Sequence, residues 1–163
     1  VPHTRYLAYL PGLFPGAHRP RLIQRLLMSR LGPFLTPFLG RKSLARTFRR
    51  IFGPQSQPTA ADLDHFWQLV GYGNGKRVIP KLIHYMAERE KFEARWVSAL
   101  ERSNIPMRLV DGAADPISGA HLAERYRRAV PIADVVLLDA IGHYPQVEAP
   151  EAVVQHYLAF WER

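Results

Sequence analysis

The sequence predicts an α/β fold in which a helical block interrupts the last strands of a parallel sheet. Three observations predict it. Met107-Arg-Leu-Val110 and Val135-Val-Leu-Leu138 are short, apolar runs of the kind found in parallel strands buried on both faces. Each is followed by a turn and then a helix-like stretch. A third apolar run, Tyr6-Leu-Ala-Tyr-Leu10, is closed by Pro11-Gly12 far upstream, and the patterns between it and Met107 are helical.

Tyr6–Leu10 reads as a buried strand. The loop Gly12-Leu-Phe-Pro-Gly-Ala-His-Arg-Pro20 follows. Arg21 to Met28 places Leu22, Ile23, Leu26 and Leu27 on one helical face, with Arg21, Gln24 and Arg25 opposite. Gly32-Pro33 breaks that helix, and Phe34 to Leu39 is short and apolar. Ser43 to Phe52 is helix-like again, with Leu44, Phe48, Ile51 and Phe52 on its apolar side and arginines outside. Gly53-Pro54 opens a clear break. Thr59 then starts a helix as its N-cap, with Asp62 at the third helical position in the manner of a capping box. That helix carries Leu63, Phe66, Trp67 and Val70. Gly71-Tyr-Gly-Asn-Gly75 reads as its C-cap and turn; it lacks the Lys-Ser/Thr ending of a phosphate-binding loop. Val78 to Arg102 reads as one or two helices. His121–Val130 and Ala149–Trp161 are the helices after the two later strands.

Length and composition bound the function. A chain of 163 residues can bury one real core. It has no cysteine, so disulfides and thiolate metal sites are excluded. No apolar run reaches the roughly 18 residues of a membrane span. No histidine pair has metal-ligand spacing, and no cofactor is expected. The net charge of +8 is uneven: residues 1–61 hold ten Lys/Arg and no Asp or Glu. That asymmetry fits an anionic partner, or a basic surface whose acidic complement lies elsewhere. A nucleic-acid partner is not expected, because no recognition motif or interleaved aromatic pattern accompanies the arginines. Peripheral contact with an anionic membrane, through the helices at 21–28 and 43–52, is an expected alternative to catalysis. A small sheet also leaves an open edge, so the isolated chain is expected to be poorly soluble or to dimerise through that edge. Val1-Pro2-His3 lacks an initiator Met and any signal-peptide pattern, so it reads as the start of a fragment of a cytoplasmic protein.

Chemistry concentrates at two strand ends. Asp115 follows the strand at 107–110, and His143 follows the strand at 135–138. Functional groups of open α/β sheets collect at the carboxyl edge, and a strand–helix–strand crossover of this length makes the two ends neighbours. Asp115 is then placed to orient the imidazole, and His143 to act as general base. Taken singly, Asp115 is an Asp-Pro turn residue and His143 a loop histidine. Asp111 and Asp139 are alternative strand-end acids. Ser118 reads as the N-cap of the following helix. No serine lies on a strand-to-helix elbow, and no Gly-x-Ser-x-Gly or Gly-x-Asp-x-Gly string occurs.

Asp115-Pro and Gly142-His-Tyr-Pro-Gln-Val-Glu148 resemble the acid and base motifs of the α/β-hydrolases. Gly12-Leu-Phe-Pro-Gly-Ala-His-Arg-Pro20, Phe52-Gly-Pro54 and Arg95-Trp-Val-Ser-Ala-Leu100 are similar to the mesoderm-specific-transcript-like members. These belong to the cap-bearing branch that includes haloalkane dehalogenases and epoxide hydrolases. The resemblance implies the C-terminal half of such a fold: a core strand at 1–11, a helical cap at 12–103, and the last strands and helices of a parallel sheet at 104–163. It implies Asp115 and His143 as triad acid and base, and an Asp or Ser nucleophile upstream. An Asp nucleophile would form an ester that His143-activated water hydrolyses. Ester, epoxide or carbon–halogen hydrolysis of a small hydrophobic substrate is expected of the full-length enzyme. Phe14, His18, Trp67 and Tyr144 are the expected substrate contacts. Without an elbow, the isolated chain is expected to be inactive.

Overall fold

The central strand of the sheet is β2, Met107–Gly112, and all of it beyond Met107 is buried. Strand β1, Tyr6–Ala8, lies on one side of it and β3, Asp134–Leu138, on the other, both parallel to it. Tyr6 pairs with Met107, and Arg108 pairs with Asp134. The computed structural model of the chain describes Tyr6–Ala8, Phe14, Gly16 and residues 22–162. Parallel neighbours require crossovers, and each gap in the strand order is filled by helices. Helix α7, Ala120–Ala129, links β2 to β3, and α9, Pro150–Trp161, closes the chain after the short α8, Pro145–Glu148.

Among the described residues, six helices lie between β1 and β2. These are α1 (Leu22–Met28), α2 (Gly32–Leu35), α3 (Arg41–Ile51), α4 (Ala60–Gly71), α5 (Ile79–Leu82) and α6 (Tyr85–Glu101). The stretch 78–102 therefore holds two helices. The run after Pro33 contains α2 and a 3₁₀ turn, Thr36–Phe38. Short apolar runs need not be buried: Phe38 is 84% exposed and Phe34 is 74% exposed. Pro33 and Pro37 each occupy a first helical turn, where the missing N–H costs nothing.

The start of α4 forms as its sequence requires. Thr59 Oγ1 accepts from Asp62 N–H at 3.1 Å, and Asp62 Oδ2 accepts from Thr59 N–H at 2.9 Å. Both donors would otherwise be orphaned at the helix end. Thr59→Ala is expected to cost about 1 kcal/mol by chemical denaturation. A loss too small to measure would mean that tertiary packing alone sets this terminus. The same helix stops at Gly71. Gly73 and Asn74 then take left-handed backbone angles inside a 3₁₀ segment, Tyr72–Val78, as a glycine-rich C-terminal turn does.

Two apolar clusters hold the layers together. Phe14, Val97, Leu109, Leu122, Ala123, Tyr126 and Val130 pack α6 and α7 against β2. Phe48, Ile51, Phe52, Leu63 and Ile117 join α3 and α4 to the loop after β2. Tyr144 and Phe66 complete the second cluster, with Phe48 and Phe66 edge to face at 4.7 Å. This cluster is what brings the helical block against the ends of β2 and β3. Among the described residues, no helix is long and apolar enough to cross a membrane.

Candidate active site

Asp115 lies just past the carboxyl end of β2, and its carboxylate is buried. Its Oδ2 receives a hydrogen bond from Ser118 Oγ at 2.7 Å and from Ser118 N–H at 3.0 Å. Its Oδ1 receives Ile117 N–H at 2.8 Å. The Asp-Pro turn and the contact with His143 coexist, because the turn donors and the imidazole use the same carboxylate. His143 follows β3, and its Nδ1 stands 2.8 Å from Asp115 Oδ2. An imidazole N–H donating there fixes the tautomer and leaves Nε2 as the basic nitrogen. Among the described residues, Nε2 has no hydrogen-bond partner. The expected alternatives, Asp111 and Asp139, make no hydrogen bond to the ring.

Burial alone would raise the Asp115 carboxyl. The His143 hydrogen bond and charge, with Ile117 N–H and Ser118, outweigh it and hold the group below the usual aspartate range. An acid with a lowered folded value stabilises the native state above its ordinary value near 4, and that stability is lost as pH falls through the folded value. Asp111 behaves oppositely. It is 9% exposed, and burial pushes its carboxyl up to about 7; the nearby Asp115 adds to this, against the Gly112 N–H bond and the His143 charge. Native Asp111 therefore holds its proton over a range where the unfolded side chain has lost it, so it costs stability as pH rises from about 4 to 7. Asp111→Asn is expected to stabilise the fold at pH 8 by about 4 kcal/mol and to change little at pH 4. Equal shifts at both pH values would show that folding does not raise the Asp111 carboxyl.

Ser118 does not cap α7. Gly119 occupies the N-cap without a side-chain cap, while Ser118 is fully buried against Asp115. The hydroxyl is drawn to a charged acceptor inside the protein rather than to a helix end at its surface.

A second carboxylate, Glu148, organises the loop that carries His143. Its Oε2 accepts Gly53 N–H at 2.7 Å, Ser56 Oγ at 2.5 Å and Gly142 N–H at 2.8 Å; Oε1 accepts Tyr144 N–H at 2.9 Å. Beside it, His143 N–H donates to the Ile51 carbonyl at 2.8 Å. Two glycines permit this crossing. A Cβ at Gly142 would stand 2.2 Å from the Ile51 oxygen, and one at Gly53 would stand 1.8 Å from the Ala140 oxygen. The only trace of this in the sequence is the recurrence of Gly53 and Glu148 in the strings that carry the family resemblance.

Of the expected substrate contacts, Tyr144 is brought to the pair, its ring 4.9 Å from the His143 ring and among Phe48, Phe52 and Phe66. Burial raises its phenol, with lesser contributions from Tyr85 and Asp115. Phe14 is fully buried in the cluster under β2, with Arg125 over its ring. Trp67 lies on α4 with the Lys76 ammonium 4.1 Å from its ring centroid. His18 lies outside the described residues.

No protein-family model matches the sequence. Relatives do. The chain is 37% identical to the mesoderm-specific transcript protein of Mus musculus over 153 residues, covering 91% of this chain and 46% of the relative. This similarity, with those that follow, supports the α/β-hydrolase superfamily. A hydrolase of Mycobacterium tuberculosis, LipZ, is 37% identical over 139 residues, covering 85% of this chain and 48% of that one. Among solved structures, the chain is similar to the haloalkane dehalogenase DatA of Agrobacterium tumefaciens C58, with TM-score 0.68, 16% identity, and coverage of 86% of this chain and 50% of that one. It is also similar to a serine hydrolase of carbazole degradation, CarC, with TM-score 0.62, 12% identity, and coverage of 76% and 47%. These likenesses identify the architecture as a partial α/β-hydrolase fold. The chain spans about half the length of the curated relatives it matches. In α/β-hydrolases an acid and then a base follow the nucleophile in chain order; Asp115 precedes His143 here.

Proposed function

We propose that the chain supplies the acid and base of a hydrolase triad, with Asp115 orienting His143 and a nucleophile carried by the part of the fold that the relatives possess and this sequence does not include. The observation that carries the reading is the 2.8 Å contact between His143 Nδ1 and a buried carboxylate at successive strand ends. In the assembled site, the nucleophile bonds to the substrate carbon as that carbon's bond to halide, epoxide oxygen or ester alkoxide breaks. A released oxygen takes a proton, from His143 Nε2 where the nucleophile is a hydroxyl that gave it up and from solvent where it is a carboxylate, and a covalent ester remains. His143 Nε2 then takes a proton from water as the water oxygen bonds to the ester carbonyl carbon. The carbon–oxygen bond to the released group breaks, and the proton returns to that group. The six helices between β1 and β2 serve as the cap over this site, and the second apolar cluster seats α3 and α4 beside it. A small hydrophobic ester, epoxide or haloalkane is the substrate class.

The test uses the polypeptide of the complete reading frame and its His143→Ala variant on p-nitrophenyl acyl esters, epoxides and haloalkanes. Hydrolysis by the parent and its loss in the variant are expected. Hydrolysis undiminished by the substitution would overturn the reading.

A second reading is favoured by a separate observation. Leu22, Leu26, Leu31, Phe34 and Phe38 are all exposed at near-helical spacing, with Arg25 and Arg30 exposed among them. Leu27 turns inward, so the apolar face of α1 is divided between core and surface. Together with the absence of acidic residues before position 62, this stripe suits the interface of an anionic bilayer. Sedimentation with neutral and phosphatidylserine-containing vesicles at low and high salt separates the readings. Binding confined to anionic vesicles, weakened by salt and by Phe34→Ser with Phe38→Ser, is expected of a docking surface; no binding at either salt rules it out.

A further inference from the structure

We infer that Glu148 is a positioning residue for His143, fastening the loop of the general base to the segment that follows α3. The inference rests on the assignment of Asp115 and His143 as acid and base, and it adds a third residue, a second carboxylate with a different task.

The geometry is specific to that task. Glu148 gathers four donors: Gly142 N–H and Tyr144 N–H, which flank His143 in sequence, and Gly53 N–H and Ser56 Oγ, which belong to the segment after α3. Hydrogen bonds to an ionised acceptor are the strong kind, and a half-buried carboxylate with four of them replaces water almost fully. The donors on either side of His143 fix its backbone from both ends. The donors at Gly53 and Ser56 fix that backbone to a different part of the chain. His143 N–H to Ile51 O adds a parallel strut, and the two glycines let the backbones meet at a distance no side chain would allow. The ring of His143 is therefore aimed at Asp115 by a frame that Asp115 itself does not touch. Glu148 touches no reacting atom; it acts through the loop.

The arrangement also couples regions. α3 and the segment after it belong to the helical block, and through Glu148 their position is transmitted to the general base. A shift of the Gly53 loop that broke its contact with Glu148 would loosen His143 while leaving Asp115 and Ser118 in place.

The test reads the low-field proton of His143 Nδ1 by NMR in this chain, with its rate of exchange with water. Asp115→Asn is the reference for loss of the dyad. Glu148→Gln keeps the shape but turns an amide toward backbone donors. It is expected to speed exchange of the Nδ1 proton about tenfold or more, the factor that corresponds to one unsatisfied buried donor. Ser56→Ala removes one donor near the surface, and a smaller acceleration of about twofold is expected. Thermal unfolding is measured in parallel. A lowered midpoint with an unchanged Nδ1 proton would make Glu148 merely structural and overturn the inference. If Glu148→Gln does not fold, Ser56→Ala decides: unchanged exchange overturns the inference. A parent chain without the low-field proton, or with one that survives Asp115→Asn, would instead overturn the assignment of the dyad.

Discussion

If the proposed triad is right, Asp115→Asn, made in the polypeptide of the complete reading frame, is expected to lower kcat about 10⁴-fold with little change in KM. Asparagine fits the same space but offers an N–H₂ where the carboxylate accepted. Ile117 N–H and the two Ser118 donors compete for its single oxygen, so the amide nitrogen is turned toward His143. The ring is then held with its proton on Nε2, the nitrogen that must take a proton from water. The stabilisation lost is that of the imidazolium that forms as the reaction proceeds, and Asp115 is not placed against substrate, so the barrier rises while substrate binding changes little. His143→Ala is expected to fall at least as far, and the double variant no further, because the two residues act as a unit. Losses that simply multiply would show that they act separately. A fall below tenfold in Asp115→Asn would assign the carboxylate to the turn alone.

Asp134→Ala is expected to destabilise the fold by about 3 kcal/mol, the largest effect on stability at any position away from the site. Arg108 enters the sheet on β2 with its side chain only 3% exposed. Its Nη2 and Nε reach Asp134 Oδ2 at 2.7 and 3.0 Å, its Nη1 reaches the His156 carbonyl at 2.8 Å, and the guanidinium lies 5.1 Å from the Phe160 ring centroid. Register explains the pairing: Arg108 and Asp134 are direct partners on adjacent strands. Removing the carboxylate leaves a buried cation with one carbonyl and one ring. Breaking such a pair costs about 3–5 kcal/mol, and the partial exposure of Asp134 places the expectation at the low end. Chemical denaturation measures it. Replacing both residues with apolar ones, Arg108→Met with Asp134→Leu, is expected to recover most of the loss. If the single and double variants are equally unstable, packing rather than uncompensated charge is responsible.

Much of this was legible in the sequence, for local reasons. β2 and β3 declare themselves through apolar, β-branched runs, and Thr59 and Asp62 through a capping pattern only three residues long. Asp115 and His143 were legible because chain order along a parallel sheet fixes which loops become neighbours. What the sequence hid depends on distant partners. Glu148 reads as an ordinary helix-end acid until Gly53 and Ser56, more than ninety residues earlier, are brought to it. Ser118 has the sequence context of a cap, and only the burial of Asp115 decides otherwise. Phe14 and Phe38 are equally apolar in sequence, yet one is fully buried and the other almost fully exposed, because burial follows from what packs against a residue and not from its own chemistry.

The strand register carries a kinetic consequence. Closing β2 on β3 spans the stretch from Arg108 to Asp134, whereas closing β1 on β2 spans that from Tyr6 to Met107, roughly four times longer. Each doubling of a closed loop adds about 0.6 kcal/mol of entropy cost, so the second closure begins about 1 kcal/mol behind the first. Contacts near in sequence form sooner than remote ones. The unit that carries both Asp115 and His143 is thus the one the chain assembles first, and the frame around Gly53 and Glu148 is completed only when the helical block arrives. Asp115 and His143 meet early in folding; their alignment is a late event.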